Sequence, residues 1–186
     1  FPQGNPIPPP SAPLENPITP EKAVLGKILF WEDQLSSDDT MACGTCHHPS
    51  AGFTDSRTGI HPGYDGVFGT PGDRNGSPGV VRADDLGDFQ PDPLFRLRRQ
   101  ITPRRTPDIF TALYTTEAFW DGRAETVTLD PVTQQVIVAN GGALESQITG
   151  PPVGDGEMAH ENRDWTDVVN KIQGVKPLAY ATDIPV

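Results

Sequence analysis

Apolar residues recur at helical spacing in two stretches of the chain. The first runs from Pro20 to Trp31 and follows Thr19, a residue type that caps helix starts. The second runs from Asp164 to Gln173 and is followed by Gly174, a residue type that commonly ends helices. Both stretches therefore predict amphipathic helices.

The rest of the chain shows weaker patterns. Two short helical patterns occupy residues 107–114 and 143–149, and residues 126–138 alternate apolar and polar positions around Asp130-Pro131, which predicts a small β-hairpin. Residues 49–101 have no sustained period and are interrupted throughout by glycine. A loop this long is unusual in a compact domain unless it is functional or wraps a cofactor.

Composition explains the irregular stretches. The 186 residues include 19 glycines and 21 prolines, and only 35% are hydrophobic. Prolines crowd the first twenty positions, which favours extended polyproline structure and excludes a helix there. We predict a Pro-rich extended arm over residues 1–19 and one domain over residues 20–186. A chain this lean in core residues is expected to need a large internal group to organise it.

Charge and hydropathy restrict the partners. The formal net charge of −11 argues against nucleic acid and anionic membranes, which would both repel the chain. No run of about 18 apolar residues is present, so no membrane span is predicted. The chain starts at Phe1 without a basic and apolar leader, which is typical of an exported protein whose signal peptide has been removed.

The run Cys43-Gly44-Thr45-Cys46-His47 contains both cysteines of the chain. Cys-x-x-Cys-His is the attachment signature of c-type haem. On a helix these positions share one face, so two thioethers and an iron-binding imidazole can reach one haem. The pattern predicts one covalent haem c with His47 as the proximal ligand. It also predicts a periplasmic location, because c-type haem is attached outside the cytoplasm.

Other interpretations of the same residues are a thioredoxin-like redox pair, a plain disulfide and a structural zinc site. The redox pair would need a βαβ context, which the chain lacks. A zinc site would need two further ligands drawn from His48, His61 and His160. Met158 is a possible sulfur ligand if the protein is an electron carrier.

Several separated motifs together resemble the amino-terminal haem domain of bacterial di-haem cytochrome c peroxidases and their MauG-type relatives. The resemblance runs from about Pro20 to Tyr180 and rests on matches in the same order along the chain: Leu25-Gly26-Lys27-Ile28-Leu29-Phe30, Leu35-Ser36, the haem motif, Arg105-Thr106-Pro107, Phe119-Trp120-Asp121-Gly122-Arg123-Ala124, then Gln147, Gly150-Pro151 and Glu157-Met158. It implies a mainly α, cytochrome c-like haem domain with long irregular loops. The residue pattern of 126–138 adds to this a possible small β-hairpin, as an insertion relative to the family.

The resemblance also implies roles for individual residues. Glu157 would transfer protons at bound peroxide, and Gln147 and Pro151 would shape the same pocket. Trp120 would lie between two haems and conduct electrons, and His61 is the candidate distal ligand of the iron. In the residues themselves, Asp121 and Arg123 are expected to form a structural ion pair.

Two departures from the family pattern matter. Only one Cys-x-x-Cys-His occurs, so the second haem domain is absent from this chain. It would be a separate chain, a lost segment, or a domain that was never present. Arg105 stands where the family has an asparagine that helps to bind calcium, which argues against calcium here.

The sequence therefore predicts a haem c-dependent peroxidase that reduces hydrogen peroxide with electrons from a second haem or a small redox donor protein. Two other hypotheses stay open. One is a mono-haem electron-transfer protein, and the other is a MauG-like oxidase that acts on a protein or organic substrate.

Overall fold

The computed structural model describes residues 7–180, which form two compact units. The smaller unit combines the chain up to Ile18 with Phe110–Gln147, and the larger unit combines Thr19–Ile109 with the chain from Ile148 onward. No helix within residues 7–180 is both long and apolar enough to cross a bilayer. The predicted division into an arm of residues 1–19 and one haem domain stays a prediction.

The predicted mainly α class is wrong. Helices make up only 26% of the structure and strands 15%. The frequent glycines and prolines explain this, because proline lacks the amide donor that a helix interior needs and glycine weakens helices. The longest helix has 11 residues, and several glycines, such as Gly52 and Gly63, adopt the left-handed conformation that ends regular structure.

The larger unit begins with helix α1, Pro20–Phe30. Its predicted cap is confirmed, because Thr19 Oγ1 accepts a hydrogen bond from the amide of Lys22 at 3.3 Å. No α1 residue is fully buried, but Leu29 is partly buried and packs against the hydrophobic core. Helix α2, Cys43–Cys46, follows after a 3-10 turn at Asp33–Leu35.

The glycine-rich stretch after α2 contains four short strands instead of a continuous loop. Strands β1 (Gly59–His61) and β2 (Arg74–Gly76) form one antiparallel pair, and β3 (Pro78–Val81) and β4 (Arg99–Ile101) form another. Strands of three or four residues are too short to show a clear period of two, so the sequence pattern does not reveal them.

A small hydrophobic core holds the larger unit together. Helix α4, Trp165–Gln173, packs Val168 into it, and the predicted start of α4 at Asp164 and its closure at Gly174 are both confirmed. The Asp164 side chain accepts the amide of Asp167 at 3.0 Å. The buried core residues come from five separate segments: Leu35, Met41, Val80, Met158 and Val168.

The smaller unit contains the predicted hairpin. Strands β5 (Thr128–Leu129) and β6 (Val136–Val138) pair antiparallel with an irregular register, which confirms the hairpin interpretation. Helix α3, Ala143–Ile148, follows. The helix predicted over 107–114 is only a 3-10 turn at Thr111–Tyr114.

The described part of the proline-rich arm is hydrogen-bonded within the smaller unit. The side-chain Nδ2 of Asn16 donates to the Glu145 carboxylate at 2.9 Å, and the hydroxyl of Tyr114 donates to the carbonyl of Pro8 at 3.0 Å. Residues 1–6 lie outside the described residues. The arm from residue 7 is therefore attached structure and not only a spacer.

Candidate functional site

The two cysteines of the haem motif lie on the single turn of α2. Both are half-buried and neither forms a disulfide. Burial raises the pKa of Cys43 to about 11 and that of Cys46 to about 12. A thioredoxin-like pair needs a lowered thiol pKa, so this environment opposes the redox interpretation.

His47 ends α2 with its imidazole half-buried. The ring nitrogen Nδ1 donates to the carbonyl oxygen of Phe53 at 3.1 Å, and the carbonyl of Pro107 also lies close to the ring. Burial lowers the pKa of His47, although both carbonyls oppose that shift. A neutral imidazole oriented by a carbonyl is the usual form of a metal-binding histidine. Coordination of a metal through Nε2 would keep the hydrogen bond from Nδ1 to the Phe53 carbonyl.

A glycine in the motif allows an aromatic cover over α2. A Cβ atom on Gly44 would lie 2.5 Å from the Trp31 ring. The Trp31 ring meets Phe30 edge-on with centroids 5.2 Å apart, and it meets His48 in the same way at 6.2 Å. Trp31 and Phe30 also line an apolar groove of about 440 Å³ together with Gly26, Lys27, Pro49, Phe53 and Ile109. The surroundings of α2 are thus largely apolar.

Glu157 lies on a tight turn in the larger unit. Its backbone amide and those of Met158 and Ala159 all donate to the carbonyl of Gly154 at 3.0 Å, and its own carbonyl accepts from Val80 at 3.1 Å. Its side chain is exposed. Burial is the main cause of the raised pKa of Cys46, and the negative charge of Glu157 is a smaller one. The Glu157 carboxylate is therefore close enough to the motif to act on it electrostatically.

A buried arginine fixes the turn that carries Glu157. The Nη1 atom of Arg163 donates to the carbonyls of Leu35 at 2.7 Å, Pro152 at 3.1 Å and Met158 at 3.3 Å. Arg163 is 6% exposed, and burial lowers its pKa. Pro151, a predicted pocket residue, begins the adjoining 3-10 turn Pro151–Val153 and is half-buried.

The other candidate ligands have their own contacts. The Nδ1 atom of His61 accepts from the amide of Gly63 at 3.0 Å, so the neutral ring carries its proton on Nε2. Iron coordination through Nε2 would require that hydrogen bond to break, and distal ligation by His61 stays a prediction. His160 bonds the carbonyl of Glu161 at 2.7 Å, His48 bonds Ser50 at 2.7 Å, and Met158 is buried in the core.

Trp120 and Gln147 belong to the smaller unit. Trp120 is 75% exposed and Gln147 is half-buried on α3. The predicted ion pair beside Trp120 is confirmed, since Arg123 donates to Asp121 at 2.9 Å. The Arg123 guanidinium also lies 3.6 Å from the centre of the Phe119 ring. The roles proposed for Trp120 and Gln147 stay predictions.

Two charged residues near the motif were missed in the sequence. Asp55 is fully buried and forms an ion pair with Arg57 at 2.8 Å, while Arg57 also donates to the sulfur of Cys46 at 3.3 Å. The sequence signal that could have revealed this pair was an acidic residue two positions before a basic one. It lies in a stretch without periodicity, where such a pair does not stand out. Arg163 was missed for a similar reason, because it stands in a polar run before α4.

The residues around α2 fit a c-type haem. They supply two thiols free of any disulfide, one oriented neutral imidazole and an apolar surround. Within residues 7–180 no three His, Cys, Asp or Glu side chains lie together in a way that could hold a metal ion. The four ligands of the zinc alternative are therefore not assembled in that part of the chain.

Arg105, the residue predicted to argue against calcium, is engaged with the backbone. Its guanidinium donates to the carbonyl of Asp55 at 2.8 and 3.0 Å and to the Thr54 hydroxyl at 3.4 Å. The Arg105 guanidinium already satisfies the carbonyl oxygen of Asp55, so this oxygen is not left as a ligand for a metal ion. The absence of calcium stays a prediction.

Named relatives are similar to this chain over part of their own length. The methylamine utilization protein MauG of Methylorubrum extorquens is 34% identical over 62% of this chain and 23% of that relative. MauG of Methylophilus methylotrophus is 29% identical over 90% of this chain and 35% of the relative, and cytochrome c peroxidase Ccp of Escherichia coli is 27% identical over 87% and 23%. The chain thus spans between 23% and 35% of the length of these three relatives.

A family model described as di-haem cytochrome c peroxidase matches residues 20–182, which is nearly the whole chain after the arm. The match includes every motif on which the predicted resemblance rests. That family uses haem c and has a second haem domain. The chain belongs to the di-haem cytochrome c peroxidase family.

Proposed function

We propose that this chain is the peroxidatic haem domain of a di-haem peroxidase, which reduces hydrogen peroxide with electrons from a second haem domain or a small redox donor protein. The observation that carries the proposal is the motif itself. Two thiols free of any disulfide and an imidazole hydrogen-bonded to the Phe53 carbonyl lie on one turn, within a chain that belongs to the peroxidase family.

Cys43 and Cys46 would hold one covalent haem c through thioethers, and His47 would bind its iron. When bound, the haem supplies an iron centre that exchanges electrons and binds peroxide. The carbonyl of Phe53 at 3.1 Å would orient the His47 ring and increase its basicity as a ligand. We further propose a periplasmic location, because haem attachment through two thioethers takes place outside the cytoplasm.

Glu157 would take a proton from one peroxide oxygen and return it to the leaving oxygen. Cleavage of an O–O bond to give water needs such a shuttle, and an exposed carboxylate on a turn fixed by Gly154 can hold and release the proton. Pro151 and Gln147 are proposed to shape the pocket, and Trp120 is proposed to conduct electrons from the second haem.

The first experiment is intact-mass analysis of the periplasmically expressed chain, followed by peroxide turnover with a reduced cytochrome or dye as donor. A mass excess of roughly one haem over the 20.1 kDa chain supports attachment. Exchange of Glu157 for glutamine is expected to lower turnover by about 10²-fold or more, the usual scale of proton transfer. Asp155→Asn is the matched control, because Asp155 is exposed on the same turn.

Attached haem with the same turnover in Glu157→Gln and the parent would contradict the acid–base role. Peroxide that leaves the spectrum of a six-coordinate haem unchanged would instead support a mono-haem electron carrier. His61→Ala tests whether His61 is the distal ligand. The ferric spectrum of this variant should differ from that of the parent only if His61 binds the iron.

A MauG-like oxidase is the second candidate function. It is favoured by two of the relatives described above, which are named as methylamine utilization proteins MauG. Such an activity would oxidise a protein or organic substrate through Trp120. Trp120→Phe should then abolish oxidation of that substrate and leave consumption of peroxide by a direct small-molecule donor largely intact.

A further inference from the structure

An ion pair with a buried carboxylate lies directly against the haem motif. The Asp55 side chain has no exposed surface, and both of its carboxylate oxygens accept from Arg57: Oδ1 from the amide at 2.8 Å and from Nε at 3.0 Å, and Oδ2 from Nη2 at 2.8 Å. This is the bidentate geometry of a strong charge-assisted pair. The carboxylate of Asp55 is therefore held in one position and shielded from water, whereas Arg57 is partly exposed.

Arg57 extends from Asp55 to the cysteine of the motif. Its Nη2 atom donates to the Cys46 sulfur at 3.3 Å and to the carbonyl of Pro78 at 3.3 Å, and Nη1 approaches the Met41 sulfur at 3.8 Å. Arg105 holds the other end by binding the carbonyl of Asp55 at 2.8 and 3.0 Å. Because its guanidinium is already engaged in these contacts, Arg57 is not oriented to bind a substrate. Its contribution to the motif is a positive charge at a fixed position.

Both charges act on the residues that would hold the haem. The charges of Arg57 and Asp55 act on Cys46 in opposite directions, and Asp55 also acts on His47. Charges that are buried or partly buried are screened much less by salt than exposed ones, so their effect persists at physiological ionic strength. The two members of the pair differ in burial, at 0% exposed for Asp55 and 35% for Arg57, so their effects need not cancel.

We propose that the Asp55–Arg57 pair sets the reduction potential of the haem held by Cys43, Cys46 and His47, an inference that rests on the function proposed above. With haem held by these residues, an electron supplied by the electrode or a redox donor would lower the charge of the centre by one unit. Asp55 stabilises the more positive ferric state and lowers the potential. Arg57 stabilises the ferrous state and raises it, so removal of either charge shifts the potential in the opposite sense to the other.

The test is a spectroelectrochemical titration of the haem-loaded protein and its variants. Asp55→Asn should raise the midpoint potential and Arg57→Gln should lower it. The double variant should return toward the parent value, because both charges are then absent. Arg105→Gln is the matched control: it removes a charge from an exposed residue that binds the same Asp55 carbonyl and has no hydrogen bond to Cys46, so its shift should be smaller than either single shift.

Loss of structure must be separated from loss of charge. Arg57→Lys keeps the positive charge while it loses the bidentate geometry, so its potential should stay near that of the parent even if its thermal stability falls. If Arg57→Gln does not accumulate, Asp55→Asn and Arg57→Lys still decide the question. A potential that fails to rise in Asp55→Asn, or that moves the same way in both single variants, overturns the inference.

The two proposals fail in different ways. A parent protein without attached haem would overturn the proposed function. A parent protein that carries haem, with potentials that are equal in all the variants, would overturn only the role of the ion pair.

Discussion

Replacement of Arg163 by methionine tests whether one buried side chain holds three segments of the larger unit together. Arg163 Nη1 binds the carbonyls of Leu35, Pro152 and Met158, which lie far apart in the sequence. Methionine has a similar length and an apolar end, so it fills much of the space and removes all three donors. The Met158 carbonyl keeps the amide of Ser37 at 2.8 Å, which leaves two carbonyls that lose the Arg163 donor.

The magnitude follows from the cost of the two carbonyls. Each buried acceptor that loses its partner costs about 1–3 kcal/mol. The substitution also removes a buried guanidinium whose Nη2 makes no hydrogen bond to any residue that the structure describes, and this relieves about 1–3 kcal/mol. The expected net loss in the free energy of unfolding is about 2 kcal/mol, measured by urea denaturation of the haem-loaded protein followed by tryptophan fluorescence.

The matched control for this prediction is Arg82→Met. Arg82 pairs with Glu161 near the surface, with about a third of each side chain exposed, so its loss should cost no more than about 1 kcal/mol. Because Met158 adjoins Glu157, the Arg163 variant should also lose peroxide turnover. A stability of Arg163→Met within about 0.5 kcal/mol of the parent would refute the view that Arg163 clamps this turn.

Three further changes test other parts of the structure. Gly79→Ala would place a Cβ 2.8 Å from the carbonyl oxygen and 2.9 Å from the Cα of Glu157. Because this would displace Glu157, peroxide turnover should fall roughly tenfold or more. Gly26→Ala is the control, since its Cβ has open space and should stabilise α1 by up to about 1 kcal/mol. Asp164→Ala should cost about 1 kcal/mol of unfolding free energy through loss of the α4 cap, and Asp164→Asn should restore most of it. Because burial lowers the pKa of His47, stability should decline as the pH falls below about 6.5, where the unfolded histidine takes up a proton and the folded one does not. The unfolding free energy should depend less steeply on pH in His47→Met than in the parent. An equal pH dependence in both proteins would contradict the view that His47 causes this loss of stability.

Local signals were enough to predict the helix ends. Thr19 before Pro20, and Asp164 with Gly174 at the two ends of α4, are caps whose partners lie within one turn of the chain. The mainly α class failed because the strands are short and isolated pairs, and β3 contains a register shift between Pro78 and Val81. Pairing of this kind depends on distant residues, which a period in the sequence cannot reveal.

The same distinction applies to the candidate site. The haem motif is contiguous, so its cysteines and histidine were found directly in the sequence. The Arg163 contact with Leu35 joins residues 128 positions apart, and Arg57 reaches Cys46 from a stretch that has no repeating pattern. Only the folded chain brings such charges to their partners. Glu157 was found through the family resemblance and not through a pattern of its own.

The contact between Gly44 and Trp31 shows that the haem motif depends on residues outside the pentapeptide. The ring occupies the space that any other residue at position 44 would need for its Cβ. The Cys-x-x-Cys-His signature leaves its two middle positions unspecified, but in this fold the first of them is determined by a tryptophan thirteen positions earlier. A graft of the pentapeptide into another scaffold would therefore transfer the ligands without the aromatic wall against which they are packed.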